Sequence, residues 1–119
     1  MTINRSIWYR LLASLSIVLS APAWAEGHAF GHVAELAFSK TYGNIVFIRL
    51  DSPNSVPSAP CGNNGYWQFV LTLQSTVDKG MYAALLAAQL SGKAVQLDGT
   101  GTCTDVGAIE SLNNLNIYP

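Results

Sequence analysis

One stretch, Thr76 to Gly92, constrains the fold of this chain more than any other, because it is the single helix-forming segment with strand-like runs on either side of it. Ala, Leu, Met and Gln dominate it, and these residues lose little on entering a helix; Gly80 is the one weak position. Thr76 is suited to cap the amino end, Asp78 puts negative charge in the first turn where the helix dipole favours it, and Gly92 stops the helix without left-handed strain. One apolar row runs Met81, Leu85, Ala88 and a second runs Tyr82, Leu86, Leu90, with Gln89 as the main polar interruption. A helix apolar nearly all round has one face for a core and a second that either meets another copy or, being alanine-rich, tolerates water.

The first 25 residues have a separate character. Arg5 and Arg10 precede the apolar run LLASLSIVLS, and Ala23-Trp24-Ala25 is a small-x-small cleavage pattern. This is the pattern of a signal peptide for the Sec route, which places the mature amino terminus at Glu26 and the protein in the periplasm or outside the cell. The apolar run is short for a bilayer, and no later stretch qualifies as a transmembrane helix.

Residues 26–119 then form a single domain of 94 residues. They carry Lys40, Arg49, Lys79 and Lys93 against seven acidic side chains, a net charge of −3. A mildly acidic, charge-poor surface argues against nucleic acid or anionic lipid as the main partner. Cys61 and Cys103 both fall in this part, and an even count in a small exported domain predicts a disulfide. Closing a loop of about 40 residues would stabilise by about 4 kcal/mol in the chain-entropy model. The competing metal or redox reading lacks a CxxC pair and a third ligand.

His32 to Lys40 alternates, with His32, Ala34, Leu36 and Phe38 on one side and Val33, Glu35, Ala37 and Ser39 on the other, and predicts a first strand. Thr41-Tyr42-Gly43-Asn44 is a turn into a second strand, Ile45 to Leu50. Asp51 to Pro60 holds three prolines and predicts an extended loop outside any ladder. Tyr66 to Gln74 predicts a third strand with Trp67, Phe69, Leu71 and Leu73 on its apolar face. After the helix come a fourth strand, Lys93 to Leu97, a glycine and threonine loop carrying Cys103, and a last strand within Val106 to Tyr118, with Leu115 and Ile117 on one side and a break near Asn113-Asn114.

The expected fold class is all-β with one helix, in the order β-β-β-α-β-β, which is the order of the five-stranded OB-fold barrel. With one disulfide, an export signal and the MYAALLAAQLSGK helix between a strand triplet and a strand pair, the chain resembles the B subunits of pentameric bacterial toxins, in style the subtilase cytotoxin and pertussis-like subunits. It is also similar to small exported bacterial proteins of unknown function that share the SGK and GTGTC segments, here Ser91 to Lys93 and Gly99 to Cys103. The toxin resemblance implies a ring of OB-folds, pentameric, whose helices (here Met81, Tyr82, Leu85, Leu86, Gln89 and Leu90) line a central pore and whose loops bind cell-surface glycans.

The residues themselves carry little reactive chemistry. His28 and His32 lie four apart in a glycine-containing segment, read as a mobile or solvated amino terminus without a metal site. No nucleophile elbow supports a serine triad, and Gly99-Thr100-Gly101 lacks the third glycine and following helix of a dinucleotide site, so no enzyme activity and no cofactor are expected. Aromatic and amide residues on loops suit sugar recognition, since a ring stacks on the apolar sugar face while amides bond its hydroxyls. Two clusters qualify, Tyr42 with Asn44, and Asn63 and Asn64 with Tyr66, though both also fit ordinary turn chemistry. The expected function is non-catalytic binding of a glycan by an oligomer, and the alternative is a monomeric envelope protein, structural or inhibitory, holding a protein partner.

Overall fold

The computed structural model describes residues 26–56 and 59–119, with side chains described for all of these except 52–56. The predicted leader, residues 1–25, lies outside them. The elements are β1 (His28–Phe38), a 3-10 turn (Lys40–Tyr42), β2 (Ile45–Val56), β3 (Phe69–Thr72), α1 (Thr76–Ser91), β4 (Ala94–Gly99) and β5 (Glu110–Ile117). The described residues thus form five strands and one α-helix. Hydrogen bonding runs in the order β1-β2-β3-β5-β4 and closes on itself through β1 and β4. Every pairing is antiparallel except the short β3–β5 contact.

The barrel core is built mainly from aliphatic side chains that alternate inward. Val46, Ile48 and Leu50 of β2, Phe69 and Leu71 of β3, and Val95 and Leu97 of β4 are all buried in one cluster. α1 packs on β1, β3 and β5 and sends Leu85 and Ala88 into that cluster, with Met81 and Tyr82 partly buried beside them. The helix therefore spends its first apolar row and half of its second on its own barrel. What it leaves outside is Leu90, 87 % exposed, and Val77, 70 % exposed, separated by exposed alanines.

The helix spans the predicted residues, but its cap is one residue earlier than expected. Ser75, not Thr76, is the N-cap: its hydroxyl accepts from the Asp78 amide, and the Asp78 carboxylate accepts from the Ser75 amide, a reciprocal capping box. Asp78 thus acts by hydrogen bonding as well as by charge, and these donors hold its carboxyl below the usual range. Gly92 closes the other end at φ 68°, as expected.

The strands depart from expectation where bulges intervene. β1 starts at His28, four residues before the predicted start, because its first residues pair with both β2 and β4. His28 and His32 therefore lie in a strand and not in a mobile end. A bulge between Val33 and Glu35 reverses the alternation, so Ala29 and Val33 face the core before it and Leu36 after it. β2 runs through Pro53 to Val56, contrary to the predicted loop, because Ser52 and Pro53 fall in a second bulge, between the Asp51–His32 and Asn54–Phe30 pairs, where no ladder amide is required. β3 is shorter than predicted, as the Asn64 side chain takes the amides of Tyr66 and Trp67 into a turn. The break foreseen near Asn113-Asn114 is a bulge within a continuous β5, where the register shifts between Asp98 and Gly99.

Cys61 and Cys103 form a disulfide, with Cα atoms 6.0 Å apart, that joins the loop before β3 to the loop after β4. No helix among the described residues is long and apolar enough to cross a membrane.

Candidate functional site: an aromatic cleft on the outer face

β2 and β3 are apolar on both faces. The residues that alternate with the core set, Phe47 and Val70, turn outward and meet Ile109 in a second buried cluster, flanked by Ala37, Ile45, Trp67 and Val106. Ala37 pairs with Phe47 and Phe47 with Val70 across the ladder, so this cluster is a cross-strand stripe on the outside of the barrel. A cleft of about 320 Å³ opens on it.

The walls are aromatic. Tyr42 meets Phe47 edge-on at 5.1 Å between ring centroids, Phe47 lies tilted against Trp67 at 5.6 Å, and Tyr66 meets Trp67 edge-on at 4.9 Å. Such geometries add to the area buried, each by about 0.5–1.5 kcal/mol. Val106 and Ile109 form part of the floor, and Ser39 and Asn64 supply polar groups at the lining.

Local backbone chemistry explains how the two loops arrive there. Ser39 caps the 3-10 turn by accepting from the Thr41 amide at 3.2 Å, and Gly43 takes a positive φ of 69° to return the chain to β2. Tyr42 is thereby lifted over Phe47. On the other side the Asn64 carboxamide oxygen accepts from the amides of both Tyr66 and Trp67 at 2.9 Å, while the Asn64 backbone amide donates to the Ala108 carbonyl. The Gln68 amide donates to Ile48, and the Gln68 side-chain oxygen accepts from the Leu50 amide, completing the join to β2.

A charged buttress supports the Tyr66 end. The Tyr66 hydroxyl donates to Glu35 at 2.6 Å, Arg49 Nε donates to the same oxygen at 3.1 Å, and the Arg49 guanidinium lies 5.0 Å from the Tyr66 ring centroid. The hydrogen bond from Tyr66, followed by that from Arg49, holds the Glu35 carboxyl below its ordinary value, and the same bond pushes the Tyr66 phenol up.

Of the loop residues singled out from the sequence, Tyr42 and Asn64 line one cleft although 22 positions separate them, and Tyr66 borders it through Trp67. Asn44 does not join them. Its side-chain amide donates to the Leu73 carbonyl and its own carbonyl accepts from the Leu73 amide, tying the hairpin to the end of β3 beside a second hollow of about 260 Å³ that Phe38 and Tyr82 line. Asn63 is exposed, and its amide closes a turn onto Cys61. Trp67, expected in the core, stands in the cleft wall because the Tyr66 and Trp67 amides turn onto the Asn64 side chain. Phe47, Ser39, Val106 and Ile109 were missed. For Phe47 a signal existed, since it alternates with Val46 and Ile48 yet is itself a large apolar residue.

Of the helix residues expected at a subunit interface, Leu85 is fully buried in its own barrel, Met81 and Tyr82 pack on that core, and Gln89 donates to the Ala34 carbonyl. Leu86 is half-buried, which leaves Leu90 as the one fully outward member of the set. Among the described residues no group of three or more His, Cys, Asp and Glu side chains is placed to hold a metal ion. No protein-family model, no curated protein and no solved structure matches this chain.

Proposed function

We propose that the chain is an exported, non-catalytic OB-fold protein that binds a sugar in the aromatic cleft. The observation that carries the reading is the meeting of Tyr42, Trp67 and Phe47 with Asn64 and Ser39 around one cleft of about 320 Å³, at the small end of the range for ligand sites. Aromatic faces suit the C–H face of a pyranose, and the amide and hydroxyl suit its hydroxyls. The strand order, with the helix between β3 and β4, supports the OB-fold assignment.

On this reading a single site binds weakly, and a pentameric ring of the kind the toxin B subunits form would multiply it by avidity. The test is a glycan array probed with the oxidised protein from Glu26, followed by titration of each hit against Trp67 fluorescence. Hits that quench or shift Trp67 support the proposal; an array without hits for folded protein sinks it. The inward placement of Leu85, Met81 and Tyr82 favours a second reading, a monomeric envelope protein whose cleft takes an apolar side chain of a protein partner. Native mass separates the two, since a pentamer supports the ring and a monomer the envelope protein.

A further inference from the structure

Glu110, at the start of β5, is fully buried, and it lies outside the cleft. Its carboxylate is held by backbone amides: Gly27 donates to both oxygens at 3.0 and 3.3 Å, and Ala59 donates to Oε1 at 2.6 Å. Room for it exists because residue 99 is glycine, as a Cβ there would collide with the carboxylate itself. Gly27 is fixed on its other side too, its carbonyl accepting from the Gly99 amide at 2.8 Å.

Among the described residues no Lys, Arg or His forms an ion pair with Glu110; the nearby His28 ring is bonded instead to Asp98 at 2.7 Å, and Glu26 adds a further negative charge. A buried carboxylate without a counter-charge is costly even when hydrogen-bonded. The amide that clamps it belongs to the second residue of the chain expected after export. Adjacent backbone nitrogens are at most about 3.6 Å apart, so an amino group on Glu26 lies within about 7 Å of the carboxylate.

We propose that Glu110 is the receptor for the chain's own processed amino terminus: cleavage of the Ala25–Glu26 bond creates an α-ammonium that pairs with the buried carboxylate and completes the fold. The hydrolysis consumes one water. Its oxygen goes to Ala25, which leaves with the leader as a carboxylate, and the Glu26 nitrogen takes up protons to become the ammonium. In the uncleaved chain the same position is a neutral peptide amide, so it offers Glu110 no charge until the bond is cut. The inference rests on the export reading and is independent of the cleft.

The intact mass of the exported protein reports the processing step: a chain starting at Glu26 supports the proposal, and one starting elsewhere overturns it. For the protein that starts at Glu26, the α-amino group is labelled with ¹⁵N and titrated by NMR. Its pKa is expected at least one unit above the ordinary 7.7–8.0 or so of a chain terminus, and at most half that shift is expected in Glu110→Gln. A wild-type terminus that titrates like that of a peptide of the same sequence overturns the pairing. Should Glu110→Gln fail to fold, selective acetylation of the Glu26 amine in the wild-type protein replaces it. A melting temperature lowered by acetylation supports the pairing, and an unchanged one overturns it.

Discussion

The inside of the barrel and its outer aromatic stripe are built from the same strands but in different materials. On β2 and β3 the inward set is Val46, Ile48, Leu50, Phe69 and Leu71; the outward set is Phe47 and Val70, extended by Trp67 and Tyr42. The interior closes completely, with Leu85 and Ala88 of the helix sealing it. The stripe does not close, and Tyr42 and Tyr66 remain about half exposed. Apolar surface enclosed by five strands and a helix accounts for stability, whereas apolar surface enclosed by two loops leaves a cleft. The two regions should respond differently to perturbation, and that difference can be broken or sharpened by experiment.

The largest effect is expected from the disulfide, which touches both regions through the loops it joins. Replacing Cys61 and Cys103 with serine should lower unfolding free energy by about 4 kcal/mol, measured by urea titration of both proteins. Because Cys61 lies just before the Asn64 turn, the stripe should loosen first. Trp67 fluorescence is expected to change at lower urea than far-UV circular dichroism in the serine variant, and the two transitions should coincide in the oxidised wild type. Coincident transitions in both proteins would mean that the stripe is not a separable region.

Leu85→Ala attacks the interior alone. Removing a fully buried leucine from the helix should cost about 2–5 kcal/mol. Ligand affinity per folded molecule, measured by calorimetry after correction for the unfolded fraction, should stay within twofold of wild type. A larger loss of affinity would show that the helix supports the cleft directly.

Tyr42→Ala is the converse. The side chain is about half exposed on a 3-10 turn and its ring contact is edge-on to Phe47, so stability should fall by about 0.5–1.5 kcal/mol. If the ring is a stacking platform for the ligand, affinity for any glycan found by array should fall about tenfold, or about 1.4 kcal/mol. An unchanged affinity would move the site away from the cleft.

The contrast also explains what could be read from the sequence. The helix was legible to within one residue because composition, Asp78 and Gly92 agree locally, and Ser75 was missed only because two hydroxyl residues stand side by side at the cap. The hairpin of β1 and β2 and the disulfide were legible for similar reasons, each resting on short-range or countable signals. The bulges at Ala34 and at Ser52–Pro53 were not, since a bulge is decided by the partner strand, and the one in β5 showed only as a break near Asn113-Asn114. Of the nine residues that line the cleft, Tyr42 and Asn64 stood out in the sequence, one in each loop cluster. That Tyr42 and Asn64 share it depends on the Phe47–Val70 register and on the disulfide holding the second loop, which are long-range facts. Trp67 looked like core because alternation from Phe69 and Leu71 extends to it on paper, while the Asn64 side chain ends the strand in fact.

The smallest effect concerns the Glu35 buttress, and it gives the finest separation of the two regions. Glu35 accepts from Tyr66 and Arg49, and both bonds favour the charged carboxylate, so its folded value lies below the ordinary 4.5. Such a group contributes stability that is fully present above the unfolded value and is lost as pH falls through the depressed folded value. The Tyr66–Trp67 contact should therefore be constant from neutral pH down to about 4.5 and should loosen only below it. Near-UV circular dichroism of the aromatic residues should record this step while far-UV signal, reporting the barrel, stays flat. In Glu35→Gln the amide oxygen still accepts from Tyr66 but no longer carries charge, so the acid step should vanish with little change in melting temperature. If near- and far-UV signals instead fall together in acid, the stripe and the barrel unfold as one unit and the distinction between them fails.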